Sequence, residues 1–564
     1  MIAILSFLSK AWESFFHSRT TINGCRIAGY IRIGFIILFL IDRIFLIKDL
    51  DYFFSPQRGI LPYRVTRNNY ELKDYNRWSV FQLAPESNTL IWIVHGVGII
   101  QGLILLIGIT KFPRLHLLGL YINMLSFHNH NVMIWDGEDS MFRIWCFLLF
   151  FFPLHHCTIY DGWGRHISSK TAASSVMYPF RIFQIELVLI YMGASLGKLA
   201  EEFWKDGSAI YRLTYGIDDY PGIFNPYIIF ASYGPLKVLC WSALILESTC
   251  YWTVWVPALR KISVVLMILL HIGIDLSMNM HMFEWLSCIG WTVFLIQPTD
   301  NINVDTDPND DDDDDDNTNN DGNNDGIRND NGNGNENINP DNNASVSDNR
   351  SENGNDNGHD NENENESDQT KTTGSSNPKP KTRMIYVFTS FRKAMINVFI
   401  ASFLLLLSFD AMPFEYFTKF APKQYTPYFK RFAVRREEFY SEYLDTFLSH
   451  LGISQGGDWS MYTNVVVSRT SYRIDAVLND GTKVANVWRS PEWSSMSNWE
   501  RKRASRRTNY FNDIEESLDE LFHLIEVMTK PFIEQDHVVE TLTFVAEYED
   551  HKIHDMKSSG GWFE

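Results

Sequence analysis

Apolar stretches long enough to cross a bilayer recur along this chain, and they constrain its fold more than any other feature. A helix needs about 20 mostly apolar residues to span the hydrocarbon core, where lipid offers its backbone no hydrogen-bond partner. Such stretches fall near residues 27–47, 90–109, 114–135, 141–155, 182–200, 226–247, 251–275, 281–297 and 389–409. Polar residues interrupt the third, and the fourth and eighth are short. The expected fold is a mainly α multi-pass transmembrane bundle of about nine spans, followed by a small α+β soluble C-terminal domain.

The net charge of −19 over 564 residues belongs to one segment. Residues 301–370 hold 22 Asp and Glu against Arg328 and Arg350, so this tract carries −20 and the remainder +1. The acidity therefore says nothing about a basic or acidic substrate, and nothing points to nucleic acid. The tract has almost no aromatic or branched apolar residues. It cannot bury enough surface to offset its chain entropy, so residues 299–383 are expected to be a disordered Asn/Asp-rich acidic insert. It lacks the fixed spacing of a calcium loop. The six cysteines all precede it, without CxxC spacing, and no metal site is expected.

The other boundaries follow. Residues 1–25 hold Leu5, Leu8, Trp12, Phe15 and Phe16 at helical spacing and read as an interfacial amphipathic helix. Residues 26–298 form the bundle, 384–410 the last transmembrane helix, and 411–564 the tail. In the tail, 426–450 and 497–530 read as helices. "MYTNVVVSR", "YRIDAVL", "KVANVW" and "VVETLTFVAEY" read as strands, with a turn at Asn479-Asp480-Gly481. Lys and Arg near the span ends orient the N-terminus toward the cytosol and the tail toward the lumen or exterior, although the 48–89 loop disagrees. The sequons at Asn343, Asn349 and Asn365 are acceptors only if the insert is lumenal, and this orientation makes it cytosolic. The compartment expected is the endoplasmic reticulum, another endomembrane or the plasma membrane.

Three polar constellations interrupt the apolar runs. "SFHNHNVMIWDGEDSMFR" holds His128, Asn129, His130, Asp136, Glu138, Asp139 and Arg143. "YMGASLGKLAEEFWKDGSAIYRL" holds Lys198, Glu201, Glu202 and Trp204, and "HIGIDLSMNMHMFEW" holds His271, Asp275 and His281. Ionisable residues inside a membrane are costly and mark functional candidates. Lys198 is the sharpest, since a lysine stripped of water can present a neutral amine as a general base. Its bland reading is snorkelling to the interface beside Glu201 or Glu202. His130 and His271 are ligand or proton-carrier candidates, or hydrogen-bond across helices in a satisfied core. Asp136 and Asp139 read as a cation pair or a solvated loop. His155-His156 read as interfacial, and Arg32 as a partner for Asp275, Asp42 or a lipid headgroup. Asn129, Asp136, Asp139, Arg143, Trp204 and His271 complete the candidate binding set.

These segments resemble a known family. The "RIGF" span, the "SFHNHN…WDGEDSMFR" hairpin, "IYMGASLGKLAEEFWKDGSAIYRL" and "HIGIDLSMNMHMFEW" occur in the order seen in HTTM (horizontally transferred transmembrane) proteins, relatives of vitamin K-dependent gamma-carboxylase. The tail's "LGISQGGDWSMYT", "IDAVLNDGTKV" and "RASRRTNYF" are also similar to HTTM tails. Lys198, Leu199, Trp204 and Gly207 carry the most specific part. The resemblance implies that Lys198 is the base that deprotonates vitamin K hydroquinone and that His130, after Asn129, assists it. It is imperfect. Where the carboxylase has paired lysines this chain has Gly197-Lys198, and the Asn-His match needs a one-residue gap. The tail is short and lacks cysteine, so it offers no disulfide to the bundle and no support for glutamyl-substrate recognition.

Two functions follow as expectations. One is a gamma-carboxylase-like enzyme acting on a lipid-soluble quinol or another membrane substrate, with a protein or peptide substrate conceivable. The other is a non-catalytic receptor, scaffold or assembly factor. A transporter is a third option, but paired broken helices are absent from the pattern.

Overall fold

The computed structural model describes residues 2–57, 59, 78–131, 134, 137–153, 175–215, 223, 233–278, 280, 282–299, 380–411, 419–420, 422–439, 448, 451, 468–489 and 539–550. Of the expected insert, residues 300–379 lie outside the described residues, whereas 380–383 are already helical, so the last helix begins before the expected boundary at 384; the 497–530 stretch, Asp136, His155, His156 and His281 also lie outside. Two compact units divide the chain: Met1–Ile302 with Lys393–Glu564, and Asn303–Arg392. The described part of the second is the start of one helix.

The first unit opens with α1 (Ile2–Phe16). Ser18 to Thr20 then run extended, and α2 (Ile22–Leu46) begins where the Thr21 hydroxyl accepts the Gly24 N–H at 3.0 Å. A single-turn α3 (Leu50–Phe54) follows. Next come α4 (Asn88–Ile107), α5 (Pro113–His130) and α6 (Gly137–Leu149). Ser87 caps α4 at its start, and Gly108, at φ +85°, ends it in the left-handed conformation that glycine adopts without steric cost. Then come α7 (Tyr178–Ala200), α8 (Glu202–Lys205), α9 (Ala209–Tyr215), α10 (Tyr233–Thr253), α11 (Pro257–Ser277) and α12 (Phe283–Trp291). Prolines in the first turns of α5, α7 and α11 give up an N–H that no helix would use there.

Each expected span falls on a helix, but nine crossings are not established by length and composition. Three helical segments are long and apolar enough to cross a membrane: Asn88–Ile107, Tyr178–Ala200 and Thr389–Ser408. Phe283–Leu295 is a shorter apolar helix. The others fall short for physical reasons. At 13 residues α6 spans roughly 20 Å, too short for the hydrocarbon core. Arg26, Arg32, Asp42 and Arg43 punctuate α2, and Arg260, Lys261 and Asp275 punctuate α11.

The core sits around α7, most of whose apolar window is buried. Trp145, Phe183, Leu187 and Trp291 are fully enclosed there. Gly290 lets α12 close on α6, since a Cβ at that position would lie 2.4 Å from the Trp145 ring. The last long helix, α13 (Pro380–Ala411), packs Phe399 on Phe151 and Phe403 on Phe147, and Asn397 accepts from the Trp12 indole at 3.0 Å.

Three stretches meet at one knot. Thr20 N–H donates to Ser175, Met177 N–H to Ser18, and Thr299 N–H to Arg19, at 2.9–3.0 Å.

In the tail, α14 (Thr426–Phe439) precedes β1 (Ser468–Leu478), β2 (Lys483–Arg489) and β3 (Val539–Asp550). They form an antiparallel sheet in the order β2-β1-β3. The β1–β2 turn lies where Asn479-Asp480-Gly481 predicts it, with Gly481 at φ +79°. Expected helix 426–450 is described as far as Phe439, and of the first expected strand only the last residues lie in β1.

Candidate functional site

Lys198 occupies the last turn of α7. At Glu201 the backbone leaves the helix (φ −89°, ψ 142°), and the four-residue α8 folds back beneath it. Gly207 at φ +81° and the Asp206 carboxylate, which accepts the Ser208 N–H at 2.7 Å, complete the reversal. This brings the buried Trp204 ring to 5.0 Å from the Lys198 amine, within cation–π range. Trp204 is fixed by Ala209, Cys240 and Leu244.

Lys198 does not snorkel. Its side chain is buried, 5% exposed, and its Nζ donates to Glu247 Oε2 on α10 at 2.5 Å. Glu247 is 4% exposed. The expected partners face elsewhere: Glu201 lies 3.6 Å from Lys419, and Glu202 is exposed. A lone carboxylate within "SALILESTCYW" is as costly in an apolar helix as a lone lysine. Matching the two unpaired charges was the available signal for Glu247, and the sequence reading missed it.

The pair sits in the wall of an apolar pocket of about 470 Å³, within the roughly 300–1,000 Å³ range of small-molecule sites. α11 supplies one long side through Leu266, Leu269, Leu270, Gly273, Ile274 and Ser277, which follow helical three- and four-residue spacing. α10 supplies the facing side, and α9 adds Ile210 and Leu213. Leu239, Leu266 and Leu269 are 38%, 42% and 57% exposed. The pocket therefore has one deep charged corner and one open greasy margin.

The other candidates form separate groups. Arg143 donates to His128 Nδ1 at 2.7 Å and to Ser140 at 2.9 Å. Because Arg can only donate, His128 Nδ1 accepts, which leaves its proton on Nε2, 3.5 Å from Asp139. Asp139 is buried rather than part of a solvated loop. Asn129 donates to the Trp78 carbonyl at 2.8 Å. His130 packs against Phe54 and Phe81, with ring centroids 5.4 and 5.2 Å away. Glu138 accepts the Met282 N–H at 2.7 Å, which ties α6 to the start of α12.

His271 joins three helices. Its Nε2 meets the Tyr191 hydroxyl from α7 and its Nδ1 meets Glu284 from α12, all buried. Asp42 pairs with its neighbour Arg43 at 2.5 Å. Of the predicted site residues, Lys198 and Trp204 line the pocket, whereas His130, Asn129, Asp139, Arg143 and His271 are outside its wall. Among the described residues, no three His, Cys, Asp or Glu side chains converge as a metal site.

Residues 63–298 match the family model of the HTTM domain, a range that includes Lys198, Glu247 and the whole pocket. No characterised protein and no solved structure matches the chain.

Proposed function

We propose that this chain, a membrane protein carrying an HTTM domain over residues 63–298, binds a lipid-soluble quinol in the Lys198 pocket and removes a proton from its hydroxyl. The observation that carries this reading is a buried amine at the corner of an apolar pocket whose rim leucines are exposed. A quinol ring and alkyl tail match that lining, and the pocket holds one charged pair at which a hydroxyl can dock. When bound, a vitamin K-type hydroquinone supplies an acidic hydroxyl and the reducing equivalents for reaction with oxygen. The chain's own residues exclude water with leucine and isoleucine, orient the amine through Trp204, and hold the proton at the Lys198–Glu247 corner. His130 is left out of this step. The protein would be multi-pass, in an endomembrane or the plasma membrane, with its tail on the non-cytosolic side.

Two experiments test it. Purified protein given reduced vitamin K and oxygen is expected to form the epoxide. Lys198→Ala should lower that rate by roughly a hundredfold or more, the scale of general-base catalysis. No epoxide from the wild type, or an equal rate from Lys198→Ala, sinks the proposal. The second uses Gly273, which lines the pocket and whose added Cβ would meet no atom within 4 Å. Gly273→Phe should fill the pocket and weaken quinol binding about tenfold or more. Stability should hold or rise, since a helix-interior glycine costs about 1 kcal/mol relative to alanine. Unchanged quinol affinity in a folded Gly273→Phe protein would count against the site.

A non-catalytic binding protein is the second reading. It is favoured by the completeness of Lys198's contacts, with Glu247 and Trp204 both engaged. On that reading Lys198→Ala changes stability alone.

A further inference from the structure

We infer that Glu247 makes this pocket selective for uncharged guests bearing a dissociable hydroxyl, and that the Lys198–Glu247 pair, rather than Lys198 alone, is the proton acceptor. The inference rests on reading the pocket as a guest site and adds the chemistry by which it chooses.

The wall has little else that is polar. Ser242 and Ser277 both donate to carbonyls of their own helices, Val238 and Gly273, at 2.7 Å. Trp204 presents its ring to the amine. The charged handle of the pocket is thus the ion pair, and both its members are about 95% buried.

The pair is neutral overall. Ammonium with carboxylate and amine with carboxylic acid carry the same total charge. Charges are stripped of water here, and an uncompensated one is expensive. A guest with a fixed charge would bring such a charge into the apolar wall. A neutral hydroxyl brings none, and it can donate to the carboxylate, which has acceptor capacity beyond its bond to Lys198.

Proton transfer keeps the balance. The guest's O–H bond breaks, and its proton forms a new bond to the pair. The pair becomes ammonium with carboxylic acid, net +1, and faces the −1 left on the guest oxygen. No electron moves in this step, and the total charge in the pocket is unchanged. Lysine without Glu247 would take the proton only from its neutral form, and it would be an isolated cation whenever protonated.

Removing either partner should therefore erode the selectivity, in opposite directions for the two partners. The test measures binding to full-length protein in micelles of three probes with one alkyl chain, ending in hydroquinone, sulfonate or trimethylammonium. Wild type is expected to favour the hydroquinone over either ion by about tenfold or more. Glu247→Gln should gain affinity for the sulfonate by about tenfold, and Lys198→Met should gain it for the trimethylammonium, as unpaired buried charges seek counter-ions. The Lys198→Met/Glu247→Met double variant keeps the pocket neutral and should reject both ions, so it controls for folding.

An unchanged ranking in both single variants overturns the inference, even if they melt earlier, because a purely structural pair would do only that. Wild type binding none of the three probes also overturns it. If wild type ranks the probes as expected but forms no epoxide, the catalytic reading falls and this one stands. If epoxide forms and Glu247→Gln keeps the wild-type ranking, this inference falls alone.

Discussion

Lys198→Ala and Glu247→Ala are each expected to cost the folded protein about 3–5 kcal/mol, the usual consequence of leaving one member of a buried ion pair alone. Either group left alone would be a charge about 95% buried. Replacing both by methionine should recover most of the loss, because packed apolar side chains often match or exceed a buried pair in stability. Denaturant titration in micelles would measure all three variants. Single variants within about 0.5 kcal/mol of wild type would mean that the pair is not buried in solution as it is in the structure.

The second large effect is expected at His271. His271→Leu should destabilise by about 3 kcal/mol or more, since the Glu284 carboxylate then loses its ring partner inside the core. The Tyr191 hydroxyl loses the same ring on the other side. Adding Glu284→Leu to His271→Leu should recover part of the cost, a coupling expected of residues in one network. The same titration reads it. If the double variant simply sums the single losses, His271 and Glu284 do not act as a unit. The pocket lies outside this chain of bonds, so quinol affinity of any folded His271 variant should change little. That contrast separates the clamp from the guest site.

The sequence made the helices legible because membrane-length apolar runs leave few alternatives. It located α7, α10 and α11 within several residues and picked Lys198 and Trp204 as neighbours. It also gave the β1–β2 turn from Asn479-Asp480-Gly481. It did not give the partner of Lys198, since Glu247 lies 49 positions away on a helix whose packing no local pattern encodes. The proximity of Glu201 and Glu202 in sequence pointed the wrong way, because the backbone turns out of the helix at Glu201. Nor did it separate the three polar constellations by role. Buried histidines look alike in sequence, whether they pack between aromatic rings like His130 or bind three helices together like His271. Of the nine expected spans, three meet the length and apolarity of a crossing helix among the described residues. Charges that pair inside a bundle still depress the apolarity of the helices that carry them.

The knot joining Arg19, Ser175 and Thr299 has a consequence for how this chain can change over time. Thr299 is held by the Arg19 carbonyl immediately before the acidic tract begins. The bundle thus releases the chain at a fixed point, and whatever follows is attached to a pinned residue rather than to a free end. Lengthening or rewriting residues 301–370 is therefore expected to leave the melting of the bundle unchanged, because the Thr299 anchor to Arg19 stands between that segment and α12.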